Sequence, residues 1–350
     1  MLETPSPTLR EVFMHRLMAG VTILEHELSE LRLLAERQAG ILLDCPNSVL
    51  AAHVADYLEK HELESPAALL EHLSAADQDP ALLPEFLDGV LNANTGFFRH
   101  PGAMNALARH VVPQLCARKT DDSPATLRIW SAGCGTGEES YSIAMALCSV
   151  LPNGNANSAA NGNGNKNGSA RNGGILENGA LALAGTKEWS IHIVGSDLLP
   201  GAIKVAERGL YPQSELAGLP PATIRACFSK IGSPAPSGSA DATSAAANGA
   251  YLLVKPRLRS MVTFNTMNLI RPVYIGRFDC IFCMDVLPHL SRAQRSALIE
   301  RLHLYLEPGG YLFVSQTEKL CTSNLNFRQE TFDGYTVHRK PLAASAAYGR

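Results

Sequence analysis

The chain has 350 residues, of which 46% are hydrophobic, 18% charged and 6% aromatic, and it carries a formal net charge of −3. That length suits two domains with a core that needs no disulfides. The balanced charge gives no reason to expect a nucleic-acid partner, no apolar run approaches the ~20 residues of a membrane helix, and the start Met1-Leu2-Glu3-Thr4-Pro5 has neither a basic patch nor an apolar leader.

In chain order, the first 90 or so residues predict helices. Residues 10–40 carry Leu17, Val21, Leu24, Leu28, Leu31 and Leu34 at three- and four-residue spacing, with Gly40 as a stop. Shorter helical patterns follow near 48–60, 66–73 and 80–91. From Leu127 the pattern changes to strands alternating with helices. Strands are predicted at 127–131, 190–195, 261–265, 278–283 and 311–315, and helices at 139–151, 200–208 and 291–306, the last with Ser291 as N-cap. Such alternation implies an α/β domain with a parallel sheet and right-handed crossovers. Residues 153–179 hold nine Asn and seven Gly. Together with a Ser/Ala/Gly/Pro-rich run at 234–249, they read as disordered surface insertions, spanning about 153–187 and 232–249. The eight cysteines are scattered, which reads as reduced thiols in a cytoplasmic protein. Cys280 and Cys283 have C-x-x-C spacing, but on a strand positions i and i+3 face opposite sides, and no second pair stands nearby. No metal is expected.

The small net charge conceals a split. Residues 1–100 hold 16 acidic and six basic residues, a balance of −10, and the remaining 250 residues stand at +7. Two regions with different surfaces, and different partners, are implied.

The chemistry concentrates after the first α/β strand. Gly133, Gly135 and Gly137 alternate in Ser131-Ala132-Gly133-Cys134-Gly135-Thr136-Gly137-Glu138-Glu139 and open a helix, so the backbone can turn sharply and approach a ligand closely. A dinucleotide loop would place a pyrophosphate on that helix N-terminus. Here two carboxylates stand there, which repel a phosphate and favour a ligand with positive charge. S-adenosyl-L-methionine has a sulfonium, an ammonium and no phosphate. Asp197, at the end of the second strand, suits a ribose.

These blocks resemble the chemotaxis receptor methyltransferase family (CheR-type), enzymes that esterify receptor glutamates with S-adenosylmethionine and release S-adenosyl-L-homocysteine. The resemblance runs from about Leu31 to Arg339 outside the insertions. Asn94-Thr95-Gly96-Phe97-Phe98-Arg99 is similar to the family's block ending Phe-Phe-Arg, and Trp130 to Ala144 to its cofactor loop. Ser196 to Tyr211, Phe264 to Leu269, Phe278 to Cys283 and Pro308 to Phe313 match later blocks. The resemblance implies a Rossmann-like methyltransferase domain at 127–341 with an inserted β-subdomain. A helical N-terminal domain at 1–92, a linker at 93–126 and a tail at 342–350 complete the expected division. It also implies site roles. Ala132, Glu138 and the loop glycines would contact the cofactor, Asp197 its ribose, and Asn268 and Leu269 its adenine. Thr95 and Arg99 would reach the methionine end, with Arg99 orienting the target carboxylate.

Three positions depart from the family after the fourth strand. Met284 stands for its Arg, Asp285 for its Asn and His289 for its Tyr. Met284 and Asp285 are still expected at the cofactor, and His289 near the methyl group as a second catalytic residue. A second reading, a signalling module that binds the cofactor but turns over weakly, follows from the same changes. The expected partner is a protein substrate, of chemoreceptor-like kind. However, the 48–60 helix lacks the arginines with which the family meets acidic receptor helices, so a basic partner surface fits better.

Overall fold

The computed structural model describes residues 15–16, 22–74, 81–91, 95–119, 125–151, 189–231, 251–271, 276–318, 320 and 325–342. Both expected insertions, Asn94 and residues 343–350 lie outside the described residues.

The helix expected from residue 10 begins only at Glu25. A two-residue antiparallel pair, β1 (His15–Arg16) with β2 (Thr22–Ile23), precedes it. Helix α1 (Glu25–Ala39) starts there because Glu27 reaches back to accept the Leu24 amide at 2.7 Å, and it stops at Gly40 in the left-handed conformation (φ 73°). Helices α2 (Asn47–Lys60), α3 (Pro66–Ser74) and α4 (Leu82–Asp88) complete this region. Leu31, Leu50, Val54, Leu69, Leu73, Phe86 and Leu87 form its buried core, and Leu199 and Ala202 of the following domain pack into the same cluster.

The stretch expected as a linker is mostly helical. Helix α5 (Pro101–Ala106) runs through a π turn at Leu107–Val111 into α6 (Val112–Arg118). Pro113 stands at the start of α6. Its missing N–H and bulky ring are accommodated because the wider π turn precedes it. Leu107, Val111 and Leu115 are fully buried in the largest core, so this segment belongs to the sheet's packing.

The sheet contains seven strands: β3 (Ala125–Ala132), β4 (Trp189–Asp197), β8 (Val262–Thr266), β9 (Phe278–Cys283), β10 (Leu306–Val314), β11 (Arg328–Phe332) and β12 (Tyr335–Arg339), in spatial order β11-β12-β10-β9-β3-β4-β8. The five from β10 to β8 are parallel, and the β11–β12 hairpin adds an antiparallel edge. Helices α7 (Glu138–Val150), α8 (Pro200–Arg208) and, later, the helix Arg292–Tyr305 are the crossovers. Ser291 caps that last helix, accepting from the Gln294 amide. A small sheet of β5 (Leu210–Pro212), β6 (Phe228–Lys230) and β7 (Tyr251–Val254), in order β5-β7-β6, forms the inserted subdomain. It carries the short helix α9 (Pro221–Cys227), and a single turn, Pro256–Arg259, leads from it back to β8.

Every residue of β9 is buried, as a central strand covered on both faces requires. Cys280 packs in one core cluster and Cys283 in another, on opposite faces of the sheet. Burial pushes both thiols well above their ordinary range. At the far end of β9, Asp279 is 2% exposed and bonds Lys119 Nζ at 2.7 Å and the Arg128 amide at 2.9 Å, so the buried charge is fully partnered. The chain runs from β3 outward to β4 and β8, then crosses to β9 and β10 on the other side. That reversal opens a crevice at the carboxyl ends of β3, β4 and β9.

Candidate functional site

A cavity of about 1150 Å³ occupies that crevice. Its floor comes from the sheet: Gly133 and Gly135 after β3, Asp197 after β4, Asn268 and Leu269 after β8, and Met284 and Asp285 after β9. Its roof comes from the helical region, including Ile41, Leu43, Val49 and Leu91. Thr95, Phe98, Arg99 and His100 close one side.

The glycine loop has the expected build. Gly133, Gly135 and Gly137 all have positive φ. A Cβ on Gly133 would lie 2.3 Å from Val286 Cγ2, so the loop passes where no side chain fits. Gly137 starts α7 and does not line the cavity; nor do Ala132, which is fully buried beneath it, or Glu138. Glu138 is 3% exposed, accepts from Thr136 Oγ1 at 2.7 Å and is also hydrogen-bonded by Thr95. Burial raises its pKa, and these hydroxyls offset part of the rise. Its neighbour Glu139, the second of the two carboxylates but not one of the expected cofactor contacts, does face the cavity. Glu139 accepts from Ser131 Oγ at 2.7 Å, and burial pushes its pKa up to about 7, with Asp285 adding to the rise. Helical periodicity could have separated the two: adjacent residues at a helix start point about 100° apart.

Asp197 accepts the Gly135 amide at 2.8 Å and the Leu199 amide at 3.0 Å, and burial raises its pKa. Asn268 donates to the Gln38 carbonyl at 3.0 Å and accepts the Ile270 amide at 3.0 Å, which ties the floor to the end of α1. A second tie joins the same regions: the Leu42 amide donates to the His289 carbonyl at 2.8 Å, beside an antiparallel bridge of Ile41 with Leu290. The His289 ring is exposed at the cavity wall.

The Thr95–Arg99 segment is fixed by packing. Phe97 stands edge-on to Tyr211 and Phe228 of the subdomain, at 4.9 and 5.4 Å between ring centroids. The Phe98 amide donates to Ser142 Oγ of α7 at 2.9 Å. Phe98 holds φ 51°, an uncommon conformation for a bulky residue that these contacts enforce. The result aims Arg99 into the cavity, where its Nε lies 3.2 Å from Asp285 Oδ2, and His100 Nε2 lies 2.9 Å from the same oxygen. Met284 is 5% exposed, with its sulfur 3.7 Å from Tyr335 Oη, whose proton goes to the Val314 carbonyl at 2.7 Å.

These residues fit S-adenosylmethionine. The crevice is roomy, has apolar walls, sits at the strand-order reversal and presents carboxylates, and its two arginines lie outside the glycine loop. One of them, Arg32, bonds the Leu43 and Cys45 carbonyls at 3.1 and 2.7 Å. Nothing in the loop is arranged for a pyrophosphate. Fold and site thus define a doubly wound methyltransferase that uses S-adenosylmethionine. More narrowly, the chain belongs to the CheR methyltransferase family, whose SAM-binding domain matches residues 93–160 and 179–336.

Chemotaxis protein methyltransferase 1 of Pseudomonas aeruginosa is 27% identical over 292 residues, covering 83% of this chain and 88% of the relative. A chemotaxis protein methyltransferase of Vibrio parahaemolyticus is 25% identical over 306 residues, covering 87% and 92%. Among solved structures, a magnesium protoporphyrin IX methyltransferase from Synechocystis with bound SAM matches 71% of this chain and 84% of its own, at 14% identity and a TM-score of 0.28. No helix among the described residues is long and apolar enough to cross a membrane, and no group of three potential metal ligands occurs among them.

Proposed function

We propose that this enzyme forms methyl esters on glutamate side chains of a chemoreceptor-like signalling protein in the cytoplasm. The observation that carries this reading is the convergence of Arg99, from the segment before the sheet, with the glycine loop and Asp197 in one cavity. Family resemblance supplies the roles: Asp197 for the ribose, Asn268 and Leu269 for the adenine, and Thr95 and Arg99 for the reacting end. The division into a helical domain at 1–92, a connecting segment at 93–126 and a catalytic domain at 127–341 belongs to the same proposal.

The cofactor supplies an electrophilic methyl group on a cationic sulfur. The target carboxylate is already ionised at neutral pH, so no general base is required. Held by Asp197, Asn268 and Leu269, the cofactor would supply its methyl group to a carboxylate oxygen and would keep the electron pair of the broken sulfur–carbon bond, with no proton transfer needed. What the chain must supply is alignment and exclusion of water. Arg99 offers a planar donor fork for the carboxylate. The roof residues Ile41, Leu43 and Leu91 give the cavity an apolar wall that offers water no hydrogen-bond partners. His289, at the wall, is assigned the role of a second donor to the carboxylate on the family resemblance. The test incubates the protein with methyl-labelled cofactor and chemoreceptor signalling fragments. Base-labile label on glutamate is the expected result. Binding of S-adenosylhomocysteine without label on any protein would replace this reading with the module that does not turn over.

A further inference from the structure

Arg99 is already engaged by a carboxylate of its own chain. Asp285 meets its Nε at 3.2 Å and His100 Nε2 at 2.9 Å, and Arg99 and Asp285 are 43% and 40% exposed, so both ends of the pair can be reached from the cavity. The cavity's other arginine, Arg32, bonds backbone carbonyls, and its acids are Asp44, Glu139, Asp197 and Asp285. A lone carboxylate that approached Arg99 would therefore displace or crowd Asp285 and leave two negative groups around one guanidinium.

The cost vanishes if the arriving segment brings a cation with its glutamate. We infer that Asp285 is a specificity-determining residue that selects glutamates with a lysine or arginine beside them. The substrate cation joins His100 on Asp285 while the substrate carboxylate takes Arg99, so the internal Arg99–Asp285 pair is exchanged for two intermolecular ones. On a helical substrate, Glu and Lys three or four residues apart present both charges on one face. The split of charge along the chain agrees: residues 1–100 stand at −10, and a segment rich in cations would meet that surface favourably. The inference rests on the methyl-ester reading above and names the substrate class for the same site.

The test uses the full chain, the methyl donor and a pool of alanine-based helical peptides. Each peptide has one Glu, with Lys, Gln or Glu varied at the positions three and four residues away. Methyl esters are mapped by mass spectrometry, and kcat/KM is measured for matched Lys and Gln peptides. The Lys peptide is expected to be preferred about fivefold, the scale of a half-exposed ion pair. In Asp285→Asn the preference should fall to within about twofold, through a lower KM for the Gln peptide. Asp285 has φ 57°, a conformation Asn adopts as readily, so this variant keeps the backbone. Equal rates in the wild-type protein, or an undiminished preference in the variant, would overturn the inference and leave the methyl-ester reading standing. Absence of label on every peptide, with S-adenosylhomocysteine still bound, would overturn both.

Discussion

The helical region and the sheet build one cavity by opposite means. The sheet contributes backbone: turns at Gly133 and Gly135, and amides presented to Asp197. The helical region contributes apolar side chains, Ile41, Leu43, Val49 and Leu91, above an acidic exterior. Backbone recognition requires particular residues at fixed spacing, so it leaves a motif. A side-chain wall can be built from many residues of similar size and leaves only a composition. The cofactor is therefore better specified by the sequence than the protein substrate is.

Four measurements would break or sharpen this contrast. The largest effect is expected at Arg99→Ala, where loss of carboxylate alignment should lower kcat by about 10²-fold or more. S-adenosylhomocysteine affinity, measured by calorimetry, should change little; a matching loss of affinity would move Arg99 to the cofactor side. Next, Gly133→Ala forces a side chain into φ 84° and against Val286. Strain of about 1–2 kcal/mol should weaken S-adenosylhomocysteine binding about tenfold in the same titration.

Third, Glu139 titrates at about 7 because burial and Asp285 disfavour its charge. A cationic ligand favours the ionised form, so binding should take a proton off this carboxyl and weaken as pH falls from 7.5 to about 5.5. The sign for folding is the reverse: with its folded pKa raised above the ordinary 4.5, Glu139 favours the folded state below about 4.5 and progressively withdraws that contribution as pH rises through about 7. Glu139→Gln should flatten the binding profile. Glu318 also lies at about 7 but bonds the Ser315 amide, so Glu318→Gln should leave the profile's slope largely intact. The smallest effect is expected at Val49→Lys. Val49 is 49% exposed on the roof, so folding stability should hold to within about 0.5 kcal/mol. Only the KM for a protein substrate should move, and a change in cofactor affinity would blur the two roles.

Much of the sheet was legible because its punctuation is chemical. The predicted β9 and α8 match their observed bounds: one is an unbroken apolar run, the other is framed by Pro200 and Gly209. The β11–β12 hairpin escaped the reading although Asp333-Gly334 sits at its turn between alternating residues. The start of α1 was misplaced because Leu17 and Val21 extend its periodicity backward, while the cap that starts it depends on Glu27 folding back to Leu24. Pro308-Gly309-Gly310 follows directly on the end of the helix Arg292–Tyr305 and lies within β10 as an irregularity in register, with Gly309 at φ 77°. Of the candidate residues, the glycine loop and Asp197 were visible as local patterns. The Arg99–Asp285 contact was not, because the two stand far apart in the chain and nothing local in either records the other. Asn268 shows the same limit: its amide faces Gln38, a pairing set by how the helical region seats on the sheet.

The seam between Leu42 and His289 is made of main-chain atoms alone. Its geometry is indifferent to which side chains occupy those two positions. The imidazole at 289 can therefore be exchanged for a phenol, an amide or a methyl group while the roof stays registered on the floor. Chemistry at that wall is uncoupled from architecture, so substitution there tunes the reaction without reopening the question of whether the enclosure forms.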